Sequence, residues 1–415
     1  MQVLRDIQFA SQVSACGMRL ASVRAKRVLL PLLMVCVSLL CVGTSSAARS
    51  ADVVFDESEV ALISSLGPWP VETPADPGNQ WSGLPWAESL GELLFNDTLF
   101  SIDNSLSCAT CHRIDAGLAD GRALAVGKVT HVRNTQGLLD VGLQRWFGWD
   151  GGADSLWAAA IRPMLTEVEM GNDLATIAAR LREHQPFVAQ LKTADPNIQW
   201  SDDNELVVFA AKLMGAYMRT LRSASTSFDV FRQALVDGDL ETQRAYSQSA
   251  RRGLKTFIGS ANCMVCHSGP RFSNGEFHDT GRSFFTGVGQ VDPGRYTGIK
   301  RMRDDPFNLL GRYAYPMTTA DSTALSQSRK SRTVKLGQVN WGQWRTPTLR
   351  NLTVTPPYLH DGSLVTLREV VDSYADIDPD RLHSEGESIL KPLSLSDEQR
   401  NDLVHFLETL TPSTP

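Results

Sequence analysis

Two pentapeptides limit what this chain can fold around more than anything else in it: Cys108-Ala109-Thr110-Cys111-His112 and Cys263-Met264-Val265-Cys266-His267. Cys-x-x-Cys-His is the attachment signature of a c-type haem. Each thiol can add across one vinyl group of the porphyrin. Two intervening residues bring both sulfurs onto one turn, and the next residue offers an imidazole to the iron. A zinc ribbon is the competing reading. It would use the paired cysteines on one metal and leave both histidines as accidental neighbours. A histidine after each pair favours haem.

The rest of the cysteine inventory agrees. Of 7 cysteines, four sit in the two motifs, and Cys16, Cys36 and Cys41 lie in the first stretch of the chain. None remains for a disulfide, a thiol nucleophile or a zinc site. Arg19, Arg24, Lys26 and Arg27 precede an apolar run, Val28 to Val42, and the small residues Thr44-Ser45-Ser46-Ala47-Ala48 follow. This pattern predicts a secretory signal over residues 1–48, with Met18 as an alternative start. The apolar run is short for a membrane span of about 20 residues. Cleavage is therefore expected over a retained anchor, with no stable membrane insertion afterwards. Haem is attached to such motifs outside the cytoplasm, so the expected location is the periplasm.

Removing residues 1–48 takes away five basic residues and one acidic residue. The 40 basic and 46 acidic residues become 35 and 45, a net charge of −10. That balance argues against nucleic acid and against anionic membrane surfaces, and it suits a partner with a basic patch.

At 415 residues the chain is too long for one ordinary core. The motifs divide it into two similar parts. Leu90-Gly91-Glu92-Leu93-Leu94-Phe95 precedes the first and Gly253-Leu254-Lys255-Thr256-Phe257 the second, a weak internal repeat. Helices are predicted at 155–160, 174–181, 204–221 (one apolar face), 225–235 and 242–257. Two more are predicted near the end, one capped by Ser363 and carrying Leu367, Val370, Val371 and Tyr374, the other capped by Ser396. Strand signals are sparse. The expectation is an all-α protein of two cytochrome c-like haem domains in tandem, residues 85–245 and 246–415, with long loops. Residues 49–84 should wrap the first domain. Residues 281–342, rich in Gly, Pro, Arg and Ser, read as an extended loop or insertion.

Beyond the haem motifs, five segments stand in a telling order: Arg133-Asn134-Thr135, Trp149-Asp150-Gly151, Glu167-Val168-Glu169-Met170-Gly171, Arg345 to Asn351, and Pro357-Tyr358-Leu359-His360-Asp361-Gly362. With them the chain resembles the bacterial dihaem cytochrome c peroxidases and their MauG relatives over nearly its whole length after residue 48. The resemblance implies His112 and His267 as proximal ligands and hydrogen peroxide as the oxidant. At the position of Tyr374 the peroxidase branch carries a methionine that ligates the second haem, and the MauG branch carries tyrosine. A thioether is soft and favours ferrous iron; a phenolate is hard and favours ferric and higher states. The residue alone reads as a packing tyrosine beside Val370 and Val371. Met317 is a rival ligand, set in the irregular insertion.

The resemblance also makes Glu169 the acid over the first haem, able to move a proton between the two oxygens of peroxide. It places Pro163 in the same pocket, and puts Ala159 where the family usually has glutamine. Trp149 corresponds to the tryptophan between the haems; core packing is its ordinary alternative. Asn134, Thr355 and Pro357 correspond to a calcium site of hard oxygen donors. His131 lies in roughly the loop from which a histidine blocks the first haem in the classical peroxidases, but its spacing does not match, and a surface or hydrogen-bonding role is the commoner fate. His360 and His278 are expected to hydrogen-bond near the second haem, and Arg345 and Arg350 to meet propionates. Trp341 and Trp344 are either packing residues or surface exits for an electron hole.

Three functions remain open on this reading. The first is an oxidase that uses peroxide to reach a high-valent state, shared through Trp149 with a His/Tyr haem, and then oxidises a residue in a partner protein. The second is a peroxidase removing peroxide with electrons from a small redox protein. The third is a non-catalytic dihaem electron carrier.

Overall fold

The computed structural model describes residues 52–413, apart from 77, 195, 197, 283–284, 315–321, 379–388 and the side chains of 322–327. The predicted signal segment and Met317 lie outside the described residues. The described chain is mostly helical. In order it forms α1 (Glu57–Ser64), α2 (Pro85–Asn96), α3 (Cys108–Cys111), α4 (Leu156–Leu165), α5 (Leu174–Glu183), α6 (Gln185–Ala194) and α7 (Asp203–Met218). There follow α8 (Ser227–Asp237), α9 (Leu240–Ala245), α10 (Gln248–Ile258), β1 (Phe277–Asp279), β2 (Phe285–Gly287), β3 (Gln290–Val291) and α11 (Arg295–Asp304). The last elements are α12 (Ser322–Thr333), β4 (Gln343–Arg345), α13 (Leu367–Ala375) and α14 (Asp397–Glu408). β1 pairs antiparallel with β4, Phe277 against Arg345, and β2 with β3. Among the described residues no helix is long and apolar enough to cross a membrane.

Two large hydrophobic cores organise most of the helices, and Trp146, Phe277 and Met302 of α11 form a third, small cluster. Leu94, Phe95, Trp157, Ile161, Leu181 and Leu213 belong to the first. Ile63, Phe228, Phe257, Phe272, Val371 and Phe406 belong to the second. Each core has one very close helix crossing, and the sequence repeat supplies its glycine. A Cβ on Gly91 of α2 would stand 2.0 Å from the Leu213 carbonyl oxygen of α7, and one on Gly253 of α10 would stand 1.9 Å from that of Asp402 in α14. Those backbones touch, so no side chain fits between them. Gly253→Ala is expected to lower stability by about 1–3 kcal/mol through overpacking, read as a shifted midpoint in urea denaturation of the holoprotein. An unchanged midpoint would mean that the helices do not cross this tightly.

Several elements differ from expectation. α7 is buried nearly all round, not on one face, because α2, α4 and α5 all pack on it. Even Lys212 is buried, with its ammonium donating to the Tyr313 carbonyl at 2.8 Å. The helix predicted over 242–257 is two helices. Tyr246 turns out of line to stack on Phe231 at 4.2 Å, and Ser247 caps the second piece. α13 is capped by Thr366 with Glu369 in a capping box, while Ser363 hydrogen-bonds Asp361 instead. The 49–84 segment spans both cores: Ile63 and Leu66 enter the second, and Trp81 packs on Trp86 and Phe209 of the first. The 281–342 segment is not a plain loop, since it holds the β2–β3 hairpin, α11 and α12.

Candidate functional site

The two Cys-x-x-Cys-His segments fold into the same local device. α3 carries Cys108 and Cys111 on a single turn, and the His112 amide donates to the Cys108 carbonyl at 2.9 Å. Gly117 and Leu118, both left-handed, bring the Leu118 carbonyl within 2.9 Å of His112 Nδ1. In the second copy the His267 amide donates to the Cys263 carbonyl at 2.9 Å, and Nδ1 meets the Phe272 carbonyl at 2.9 Å. A ring nitrogen that donates to a carbonyl fixes the tautomer and leaves Nε2 as a lone pair for a metal. Burial holds both imidazoles neutral, pushing His267 down to about 4.

Each device opens onto a cavity. The first encloses about 1320 Å³ of empty space, counting the part open to solvent, and is lined by Cys108, Cys111 and His112. The second encloses about 1010 Å³ and is lined by His267 and Tyr374. Residues 135–137, Gln144 and Trp149 line both cavities and form a shared wall. Trp149 is fixed in that wall at two points. Its indole donates to the Asn134 carbonyl and its own carbonyl accepts from the Arg345 amide, each at 2.9 Å.

The donor sets fit haem, and the charges near the second cavity fit its propionates. Arg345 lines that cavity, is buried, and makes one side-chain hydrogen bond, Nε to the Gly148 carbonyl at 3.2 Å. Burial and the neighbouring Arg271 push it down to about 9. Arg271 is pushed down to about 10 by burial, and its Nε and Nη2 are buried with no partner. Two buried guanidiniums with no ion-paired carboxylate among the described residues call for an anion. Arg350, the other expected propionate partner, is spent elsewhere: it grips Asp229 at 2.8 and 2.9 Å and the Pro270 carbonyl at 2.6 Å. Arg271 was missed because no local pattern shows that a surface-type residue will be buried.

Tyr374 is half-buried and, with Val370, lines the second cavity, while Val371 turns into the core. Burial, then the nearby Cys263 and Cys266, push its phenol up to about 12. A phenolate at this place therefore needs a cation beside it, which a ferric iron would supply. Asn134, Thr355 and Pro357 also line the second cavity together. No group of three or more His, Cys, Asp or Glu suited to a metal occurs among the described residues, so a calcium ion here would rest on neutral oxygens.

In the first cavity the structure brings together Glu169, Pro163 and Ala159 from α4 and the turn after it, along with His131 and Arg162. The turn folds back on the helix: Met170 donates to the Pro163 carbonyl at 3.0 Å and Glu169 to that of Thr166 at 3.0 Å. The 125–133 loop closes on it, with Lys128 donating to the Glu169 carbonyl at 2.8 Å. Gly127 makes this approach possible, since a Cβ there would stand 2.6 Å from Glu169 Cα. Arg162 was not expected; its signal was its place three residues after Ala159, on the same helix face. Behind the loop, Arg133 joins buried Asp150 at 2.6 Å and Asp292 at 2.6 Å, and Arg301 of α11 also meets Asp150.

His360 and His278 lie beside the second cavity without lining it. His360 stacks on Trp344 at 3.7 Å, and His278 meets Asn274 at 3.1 Å. Trp344 is buried, so it is a packing residue and not a surface exit; Trp341 packs on Tyr296 at 5.4 Å.

A family profile described as di-haem cytochrome c peroxidase matches residues 86–236. The chain is 30% identical over 380 residues to the methylamine utilization protein MauG of Methylorubrum extorquens, covering 91% of this chain and 92% of that protein. It is 31% identical over 335 residues to the cytochrome-c peroxidase IdrP1 of a Pseudomonas species, covering 79% and 81%. Among solved structures, a MauG-like protein associated with microbial copper homeostasis shares the fold at a TM-score of 0.61 and 22% identity, over 84% of this chain and 96% of that one.

Proposed function

Because the chain belongs to the di-haem cytochrome c peroxidase and MauG family, whose members carry two c-type haems and use hydrogen peroxide, we propose that it is an exported oxidase of the tyrosine-ligated kind, acting on a partner protein. On this reading residues 85–245 and 246–415 are two cytochrome c-like domains in tandem. Bound haem supplies the two electrons that reduce hydrogen peroxide and so collects two oxidising equivalents. The chain's own groups do the rest. His112 and His267 present Nε2 lone pairs fixed by their carbonyl partners. Glu169 takes a proton from peroxide and returns it to the leaving oxygen. Trp149 stands as a fixed aromatic ring between the two sites. Tyr374 offers an oxygen ligand on the second, and Asn134, Thr355 and Pro357 offer neutral oxygens to one Ca²⁺. The signal over residues 1–48 directs the product to the periplasm.

The observation that carries this reading is that His267 and Tyr374 line one cavity, behind a wall built around Trp149. Tyr374→Met tests it. The variant is expected to raise the reduction potential of the second haem in a redox titration and to shorten the life of the peroxide-oxidised state. An unchanged potential would remove Tyr374 from the iron.

Relatives named as cytochrome-c peroxidases keep a second reading in play, the removal of peroxide with electrons from a small redox protein. Rapid turnover with a reduced carrier protein would favour that reading. An oxidised state that is long-lived and slow with carriers would favour the first. Low-spin iron throughout with no response to peroxide would leave only an electron carrier.

A further inference from the structure

Two hydrogen-bond donors in the first cavity, Arg162 and His131, are poorly matched by acceptors. Arg162 has five N–H groups, and its one close partner is Glu169, with Nη2 to Oε1 at a long 3.4 Å. Asp150, the nearest other carboxylate, is taken up: Oδ2 receives Arg133 and Arg301, and Oδ1 receives the Gly152 amide. Burial and the neighbouring Arg301 already strain the Arg162 charge. His131 is similar. Its Nδ1 accepts from the Arg133 amide at 3.0 Å, which leaves the proton on Nε2. That Nε2 faces Glu169 Oε1 at 3.9 Å, beyond hydrogen-bond reach. The charged groups around the imidazole are Glu169, Arg162, Arg133 and Asp292, and burial keeps the ring neutral. Ala159, one turn back on α4, adds only a methyl.

We propose that Arg162 and His131, from two separate elements, are the donors that receive the oxygen of peroxide beside Glu169. This rests on the peroxide-using reading above. A ligand oxygen in the gap can accept from both groups while staying near the carboxylate. Hydrogen peroxide gives one proton to Glu169 as it binds. It takes that proton back on the outer oxygen when the O–O bond breaks, and that oxygen leaves as water. The two electrons are those that haem gives. Arg162 and His131 hold the outer oxygen as negative charge grows on it, and neither loses a proton.

Fluoride is the probe, because its binding to ferric haem needs donors in the cavity but no turnover. In the holoprotein, Arg162→Leu and His131→Phe are each expected to weaken fluoride binding at the His112 haem about ten- to hundredfold, the range of a hydrogen bond to a charged group. Adding Ala159→Gln to Arg162→Leu supplies an amide one turn away and should recover most of that loss. Arg162→Met serves if the leucine protein does not accumulate with haem. Wild-type fluoride affinity in these variants, or no recovery by Ala159→Gln, overturns the donor pair. If instead the wild type binds fluoride with the expected variant losses but does not react with peroxide, the functional reading falls and the donor pair stands.

Discussion

Glu169→Gln slows the reaction of the ferric protein with hydrogen peroxide by about 10²- to 10⁴-fold, the range for removing a positioned proton-transfer group. The amide matches the carboxylate in size and still accepts from Arg162, so the cavity keeps its shape while the base is lost. The turn that holds residue 169 is built from backbone bonds, including Met170 to the Pro163 carbonyl and Lys128 to the Glu169 carbonyl. None of these depends on the side chain. Haem content and both reduction potentials should therefore stay at wild-type values while the stopped-flow rate collapses. A rate within threefold of wild type would take the proton-transfer role away from Glu169 and leave it as a packing acid.

The second large effect concerns stability. Asp150 is fully buried and joins three segments: the 133 loop through Arg133, its own turn through the Gly152 amide, and α11 through Arg301. Burial alone would raise its pKa, but Arg133, Arg301 and Arg162 together hold it well below the usual carboxylate range. Such a group adds stability that is complete above the ordinary carboxylate pKa of about 4. That stability is lost as pH falls toward the lower folded value. Asp150→Ala leaves half-buried Arg301 without its carboxylate and buried Arg133 with Asp292 alone, and should cost about 3–5 kcal/mol at neutral pH. Denaturant unfolding of the holoprotein measures it. The gap between variant and wild type should close as pH is lowered through the acid range. A gap that is small at pH 7, or that does not change with pH, would mean that the network adds nothing.

What could be read from sequence followed how local each signal was. α2, α10 and α14 announce themselves by short apolar patterns and by the Ser396 cap, and the two haem motifs fix the site devices outright. The burial of α7 on all sides could not be read, because it depends on three other helices packing around it. The break at Tyr246 depends on a ring in α8. α11 is rich in arginine and buries only Ile299 and Met302 as apolar side chains; Arg295 and Arg301 reach back across some 150 residues to the turn at Asp150 and hold it there as well. The site divides in the same way. Glu169, Trp149 and Tyr374 were marked by the resemblance and stand on the cavities. The place of His131 depends on a loop folded against Glu169, and the Arg133–Asp292 pair spans 159 residues.

The wall around Trp149 has a further consequence. Because residues 135–137, Gln144 and Trp149 face both cavities, a substitution there reaches two redox centres at once. Anyone wishing to retune one centre while sparing its neighbour must work from the outer sides, on α4 for the first and α13 for the second. Changes in the partition will move the pair in step.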